Sequence, residues 1–148
     1  MGLFSLKKRK KEERTVEREP FEKREKVYPL VAYFTIVNRG QSRFYTDAYA
    51  KKGASLSMVL YAHSLPPENI VSLFGESSLR KDIVMTVCRE DLVPELMQIA
   101  KQRFAISRQA KGIVFVCPID SVSGISVYRF LADQNRELRL EEKNNGRK

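Results

Sequence analysis

The sequence predicts an α+β domain: a split βαβ sandwich of order βαββαβ, with four antiparallel strands and both helices on one face. Three observations predict it. Two strand–helix–strand blocks, Leu30–His63 and Asp82–Pro118, follow one another between charged ends. Each block opens on a short apolar run, passes an amphipathic stretch at helical spacing and closes on another apolar run. The strands are apolar at nearly every position, so both faces of the sheet need cover.

Tyr28–Val37 is the first strand. Leu30, Ala32, Phe34 and Ile36 face one way, and Val31, Tyr33, Thr35 and Val37 the other. Burying one large apolar side chain is worth roughly 1.5–3 kcal/mol, and a domain's whole stability is only about 5–15 kcal/mol. A wet second face is therefore too costly, and sister copies are expected to cover the flank that carries Val31 and Tyr33. Asn38–Gly40 is a turn, and Ser42 is the expected N-cap of a helix whose stripe is Phe44, Tyr45, Ala48 and Tyr49. Lys51 and Lys52 suit the helix C-terminus, and Gly53 supplies its left-handed cap. Leu56–Ala62 is the second strand. In the connecting loop Leu65–Lys81, Pro66, Pro67 and Gly75 break regular structure, with room for one helical turn at Glu68–Leu73. Asp82–Cys88 is the third strand, and Asp91 is the expected cap of the second helix, with Pro94 in its first turn. There Val93, Leu96, Ala100 and Phe104 form the buried stripe. Ile106–Lys111 is a polar loop, and Gly112–Cys117 is the fourth strand, stopped by Pro118.

Charge divides the 148 residues into a tail at 1–27, a domain at 28–124 and a second tail at 125–148. Residues 1–26 hold ten Lys/Arg against six Asp/Glu, and 129–148 hold six against four. The net charge of +9 is thus mostly a property of the tails. Cys88 and Cys117 are expected in buried strands that flank the first strand without meeting, so no disulfide is expected. Two buried thiols suit a reducing cytoplasm. Met1–Leu6 followed by Lys7–Lys11 has neither the order nor the length of a secretory signal. Met1–Lys11 does have the composition of a weak membrane-surface anchor. No carboxylate pair, nucleophilic triad or metal-ligand spacing is present, so no enzyme and no metal site is expected. His63, the single histidine, is expected to pack at a strand end.

The element order, with IVNRGQ at Ile36–Gln41, AKKGAS at Ala50–Ser55 and KGIVFVCPIDSVSG at Lys111–Gly124, resembles the PII-type nitrogen regulatory proteins, in particular their shortened bacterial PII-like members. The resemblance covers about Leu30–Gly124. It implies a ferredoxin-like subunit in a homotrimer, with ATP, ADP or AMP as effector in the clefts between subunits. It also implies that the loop Leu65–Lys81 docks on a regulated partner protein, in nitrogen metabolism or elsewhere. Carried over by position, the ligand-binding residues are Arg39 and Gly40 at the end of the first strand, and Arg108, Lys111 and Gly112 before the fourth. A glycine lets backbone N–H groups approach an anion, and a neighbouring lysine adds charge.

Several features depart from that family. The glycine-rich phosphate loop is reduced to Arg108-Gln109-Ala110-Lys111-Gly112, and Ser123–Val127 lacks the arginines that clamp polyphosphate. The connecting loop contains no tyrosine, which excludes the family's tyrosine modification. The rival reading is a ferredoxin-like scaffold or nucleic-acid module that has lost the ligand site and acts through its basic tails. RNA-recognition domains display aromatic side chains on particular central strands, and here the third strand has none.

Overall fold

A computed structural model describes residues 26–65, 79–106 and 108–133. In chain order the elements are β1 (Leu30–Asn38), α1 (Ser42–Lys51), β2 (Leu56–His63), β3 (Arg80–Arg89), α2 (Val93–Ile106), β4 (Ile113–Ile119) and α3 (Ile125–Leu131). Single 3₁₀ turns precede α2 at Glu90–Leu92 and β4 at Arg108–Ala110. The sheet runs β2-β3-β1-β4 with every pairing antiparallel, so the expected βαββαβ order is present.

One face of the sheet is roofed by α1 and α2. Its core joins Val31, Tyr33 and Val37 of β1 to Val84 and Cys88 of β3, and to Tyr45, Tyr49, Leu96 and Ala100 of the helices. Alternation explains the choice, since these strand positions share one phase. The tyrosines interlock: the Tyr33 and Tyr49 rings meet edge to face at 5.5 Å, and the Tyr49 hydroxyl lies 2.9 Å from Thr35 Oγ1. The Tyr45 hydroxyl has no hydrogen-bond partner. Burial pushes the Tyr33 phenol up to about 12, and raises those of Tyr45 and Tyr49 further.

The opposite phase builds the other face. Register places Leu56, Met58 and Leu60 beside Val87, Met85 and Ile83. These lie beside Ala32, Phe34 and Ile36, which in turn oppose Cys117, Phe115 and Ile113. Every one of these twelve side chains is apolar or a thiol, and Phe34 and Phe115 stack at 4.9 Å with planes 9° apart. Met58, Leu60, Ile113 and Phe115 are each more than 40% exposed. The apolar second face is therefore present, but it is the reverse of the expected flank. Val31 and Tyr33 lie under the helices, and the phase of Ala32 and Phe34 is open.

Local chemistry differs from expectation in four places. Ser42 is not an N-cap: Gln41 holds that position without a side-chain bond, and a carboxylate from β3 does the capping. Asp91 does not cap α2 either. It lies in the 3₁₀ turn before the helix, where its ion pair with Arg89 holds its carboxyl below the usual range. Cys88 is buried as expected, with its thiol pushed up to about 11, whereas Cys117 is exposed on the open face. Finally, the span assigned to the C-terminal tail contains α3, which is held by Tyr128: its hydroxyl donates to the Tyr28 carbonyl at 3.1 Å. The turn expected at Glu68–Leu73 and most of residues 1–27 and 125–148 lie outside the described residues.

Candidate functional site

Both chain turns singled out by sequence lie at one end of the sheet. There β1 ends at Asn38 and β4 begins at Ile113, while β2 ends at His63 opposite Arg80 at the start of β3. Arg39, Arg80, Lys81, Arg108 and Lys111 are gathered at this end. Asp82 is the acidic residue among them.

Asp82 sits directly opposite Val37 and in phase with Val84, so its side chain lies under α1 and is 1% exposed. Its Oδ2 accepts the backbone N–H of Gly40 at 2.9 Å and of Ser42 at 3.4 Å. Two N–H donors at the positive end of a helix stabilise a buried carboxylate. Its Oδ1 lies 2.9 Å from Arg39 Nε without the alignment of a hydrogen bond. The Arg39 guanidinium also lies over the Tyr61 ring, 4.3 Å from its centre. Gly40 completes the turn at φ +90°, a conformation that L side chains rarely adopt.

The neighbouring residues Lys81 and Asn38 point to the other side of the sheet. Lys81 Nζ donates to Asn38 Oδ1 at 2.6 Å, and Asn38 Nδ2 donates to the Gln109 carbonyl at 2.9 Å. This amide ties the Arg108–Ala110 turn to the end of β1. The structure thus brings Arg39 and Gly40 to the same sheet end as Arg108, Lys111 and Gly112. Gly112 has a packing reason to be glycine: a Cβ there would lie 2.3 Å from the Ile36 carbonyl oxygen and 2.8 Å from Val37 Cγ1. That glycine admits the close approach of β4 to β1 whatever binds nearby.

Sequence reasoning missed Asp82, Asn38, Lys81 and Tyr61. Asp82 was legible in part, because it falls in phase with the buried residues of its strand. The cross-strand reach of Asn38 and Lys81 had no local signal. His63 is exposed at its strand end, and among the described residues no three His, Cys, Asp or Glu gather as a metal site.

The opposite end of the sheet holds a cleft of about 390 Å³. It lies between Val27–Leu30 and Ile119–Tyr128, and its wall is mostly apolar. Arg89 covers Tyr28 there, 3.8 Å from the ring centre. None of the five sequence-predicted residues lines it.

No family model matches the chain. No curated protein matches it either. Among solved structures, the chain is similar to CPII from Thiomonas intermedia K12 bound to ADP, AMP and acetate, with 22% identity and a TM-score of 0.52 over 70% of this chain and 97% of that one. A further structure of CPII, described as a nitrogen regulatory PII-like protein bound to ADP, AMP and bicarbonate, gives 22% identity and a TM-score of 0.48 over 62% and 87%. CutA1 from Oryza sativa is similar with 14% identity and a TM-score of 0.53 over 71% and 92%. The chain has the fold shared by these PII-like proteins and CutA1, in agreement with the sequence resemblance. At such identities the likeness is one of fold.

Proposed function

From that shared fold, we propose that this chain is a non-catalytic PII-like regulator that assembles as a homotrimer and receives a small anion at the basic end of its sheet. Three copies bury the Phe34 and Phe115 faces against one another. An adenine nucleotide is the leading ligand candidate, since the similar CPII structure carries ADP and AMP. Arg39, Arg108 and Lys111 supply positive charge to the phosphates, and the turns at Gly40 and Gly112 bring backbone close to them. Ligand binding then biases the conformation offered to a partner protein, with no covalent step. The connection between β2 and β3 is the proposed docking segment.

The observation that supports this reading is the hydrogen bond from Asn38 Nδ2 to the Gln109 carbonyl, which ties the turn before β4 to the end of β1, one residue before Arg39. Titration calorimetry of the purified chain with ATP, ADP and AMP tests the ligand. Binding of at least one, weakened by Lys111→Ala, is expected; silence for all three refutes the sensor. Light scattering at micromolar concentration tests the trimer, and a monomer refutes it.

One observation favours a second reading, a nucleic-acid module: the stacked Phe34–Phe115 pair lies on the open face. Its neighbours in register are Ile36, Met85, Ile83 and Ile113, which offer phosphates no charge. Filter binding to RNA with a steep salt dependence would favour that module over the sensor.

A further inference from the structure

The Asp82–Arg39 pair does more than hold a turn. Arg39 is the cation of the β1–α1 turn, and a third of its side chain is open to solvent, yet its guanidinium already faces an anion belonging to the protein. We propose that Asp82 is a built-in competitor for the anion site: it occupies Arg39 in the empty protein, and an incoming anion must take Arg39 from it. The proposal rests on the reading of this sheet end as an anion site.

The two oxygens of Asp82 are bound differently, and that difference makes the exchange feasible. Oδ2 keeps the Gly40 and Ser42 N–H groups whether or not Arg39 stays. Those donors and the helix terminus still hold Oδ2 after the cation departs, and the cost of exchange falls on Oδ1, which loses its counter-ion in a buried place. Oδ1 holds Arg39 by proximity alone, without hydrogen-bond alignment. Such a contact is lost more readily than a bidentate pair. The face of Arg39 rests on Tyr61, whose own exposure is 71%, so its second support is also at the surface. The arrangement sets a threshold: weakly charged or monovalent anions do not repay the broken pair, and a polyphosphate does.

Asp82→Asn tests this, because the amide oxygen keeps an acceptor for Gly40 and Ser42 while the negative charge is removed and an NH2 replaces the oxygen that faces Arg39. With ADP as the calorimetric probe, Asp82→Asn is expected to bind about tenfold tighter than the unmodified chain, the size of one charge-assisted contact released for the ligand. The gain should vanish in the double variant Asp82→Asn/Arg39→Gln. Equal or weaker binding by a folded Asp82→Asn protein, with the unmodified chain still binding ADP, overturns the competitor and spares the anion site. No binding by either protein overturns both. Should Asp82→Asn fail to fold by circular dichroism, Tyr61→Ala serves at an exposed position. Loosening Arg39 from that side is expected to raise ADP affinity about threefold, and unchanged or lower affinity overturns the proposal.

Discussion

Replacing Gly112 by alanine separates packing from ligand binding at the residue where the two readings meet. The added methyl would sit 2.3 Å from the Ile36 carbonyl oxygen, 2.8 Å from Val37 Cγ1 and 3.2 Å from Phe104 Cε1. Phe104 can yield by turning its ring. The carbonyl cannot, because Ile36 belongs to the central strand and faces both Ile83 and Ile113 in register. Relief therefore requires β4 to move away from β1 along a pairing that runs from Ile36↔Ile113 to Leu30↔Ile119. Overpacking of this kind costs about 1–3 kcal/mol, and a rigid backbone obstacle puts Gly112→Ala at the upper end, about 2–3 kcal/mol. For a domain near 100 residues each kcal/mol lowers Tm by about 4–8 °C, so a fall of about 8–24 °C is expected. Gly40→Ala is the matched control. Nothing lies within 4 Å of its added methyl, and only the φ of +90° opposes it, which costs about 1–2 kcal/mol. Thermal unfolding followed by circular dichroism, without nucleotide, measures both. A Gly112→Ala melting point within about 2 °C of the unmodified chain would refute the packing account.

Phe115→Glu places a charge in the centre of the open face; a shift to monomer in light scattering is expected, and an unchanged assembly refutes the inward-facing trimer. Cys117 gives an independent readout on the same face, since a thiol reagent should modify it slowly in the assembled protein and rapidly in the Phe115→Glu variant. Cys88 should resist modification in both, because its burial disfavours the thiolate. Tyr45→Phe removes a buried hydroxyl that has no partner and should leave stability unchanged or raise it by up to about 1 kcal/mol. Tyr49→Phe abandons Thr35 and should lower stability by about 1 kcal/mol in urea unfolding. Because burial raises the Tyr33, Tyr45 and Tyr49 phenols in the folded state, their contribution is intact below pH 10.0 and is lost as pH rises through about 12, where Tyr33 ionises. Tyrosinate absorbance and circular dichroism should therefore change together for these three; ionisation without unfolding contradicts the burial.

Much of the fold was legible because it follows from period. Alternation in Leu30–Val37 separates two apolar faces, and helical spacing picks out Tyr45, Tyr49, Leu96 and Ala100, all of which are buried. Gly53, at φ +100°, ends α1 as its position after Lys51 and Lys52 implied. Alternation has no sign, however. It separates Val31 from Ala32 without saying which lies under the helices, and the choice made from sequence was the wrong one. The caps failed for a related reason. Ser42 and Asp91 satisfy the local rule, but Asp82 reaches the α1 terminus from another strand, and Arg89 engages Asp91 first. Cys117 reads as core because its strand is apolar, although its register position opposite Ala32 turns it outward.

The order of elements, the two-faced strands and the cationic turns at Arg39 and Arg108–Gly112 belong to the chain read residue by residue, since each rests on neighbours within a few positions. The tertiary structure alone decided which face stays open, that both turns share one sheet end, and that Asp82 faces Arg39. Those are contacts between residues some forty to seventy positions apart, made by register and strand order. Short-range patterns restrict such contacts without selecting among them, because their energy arises only when the sheet closes.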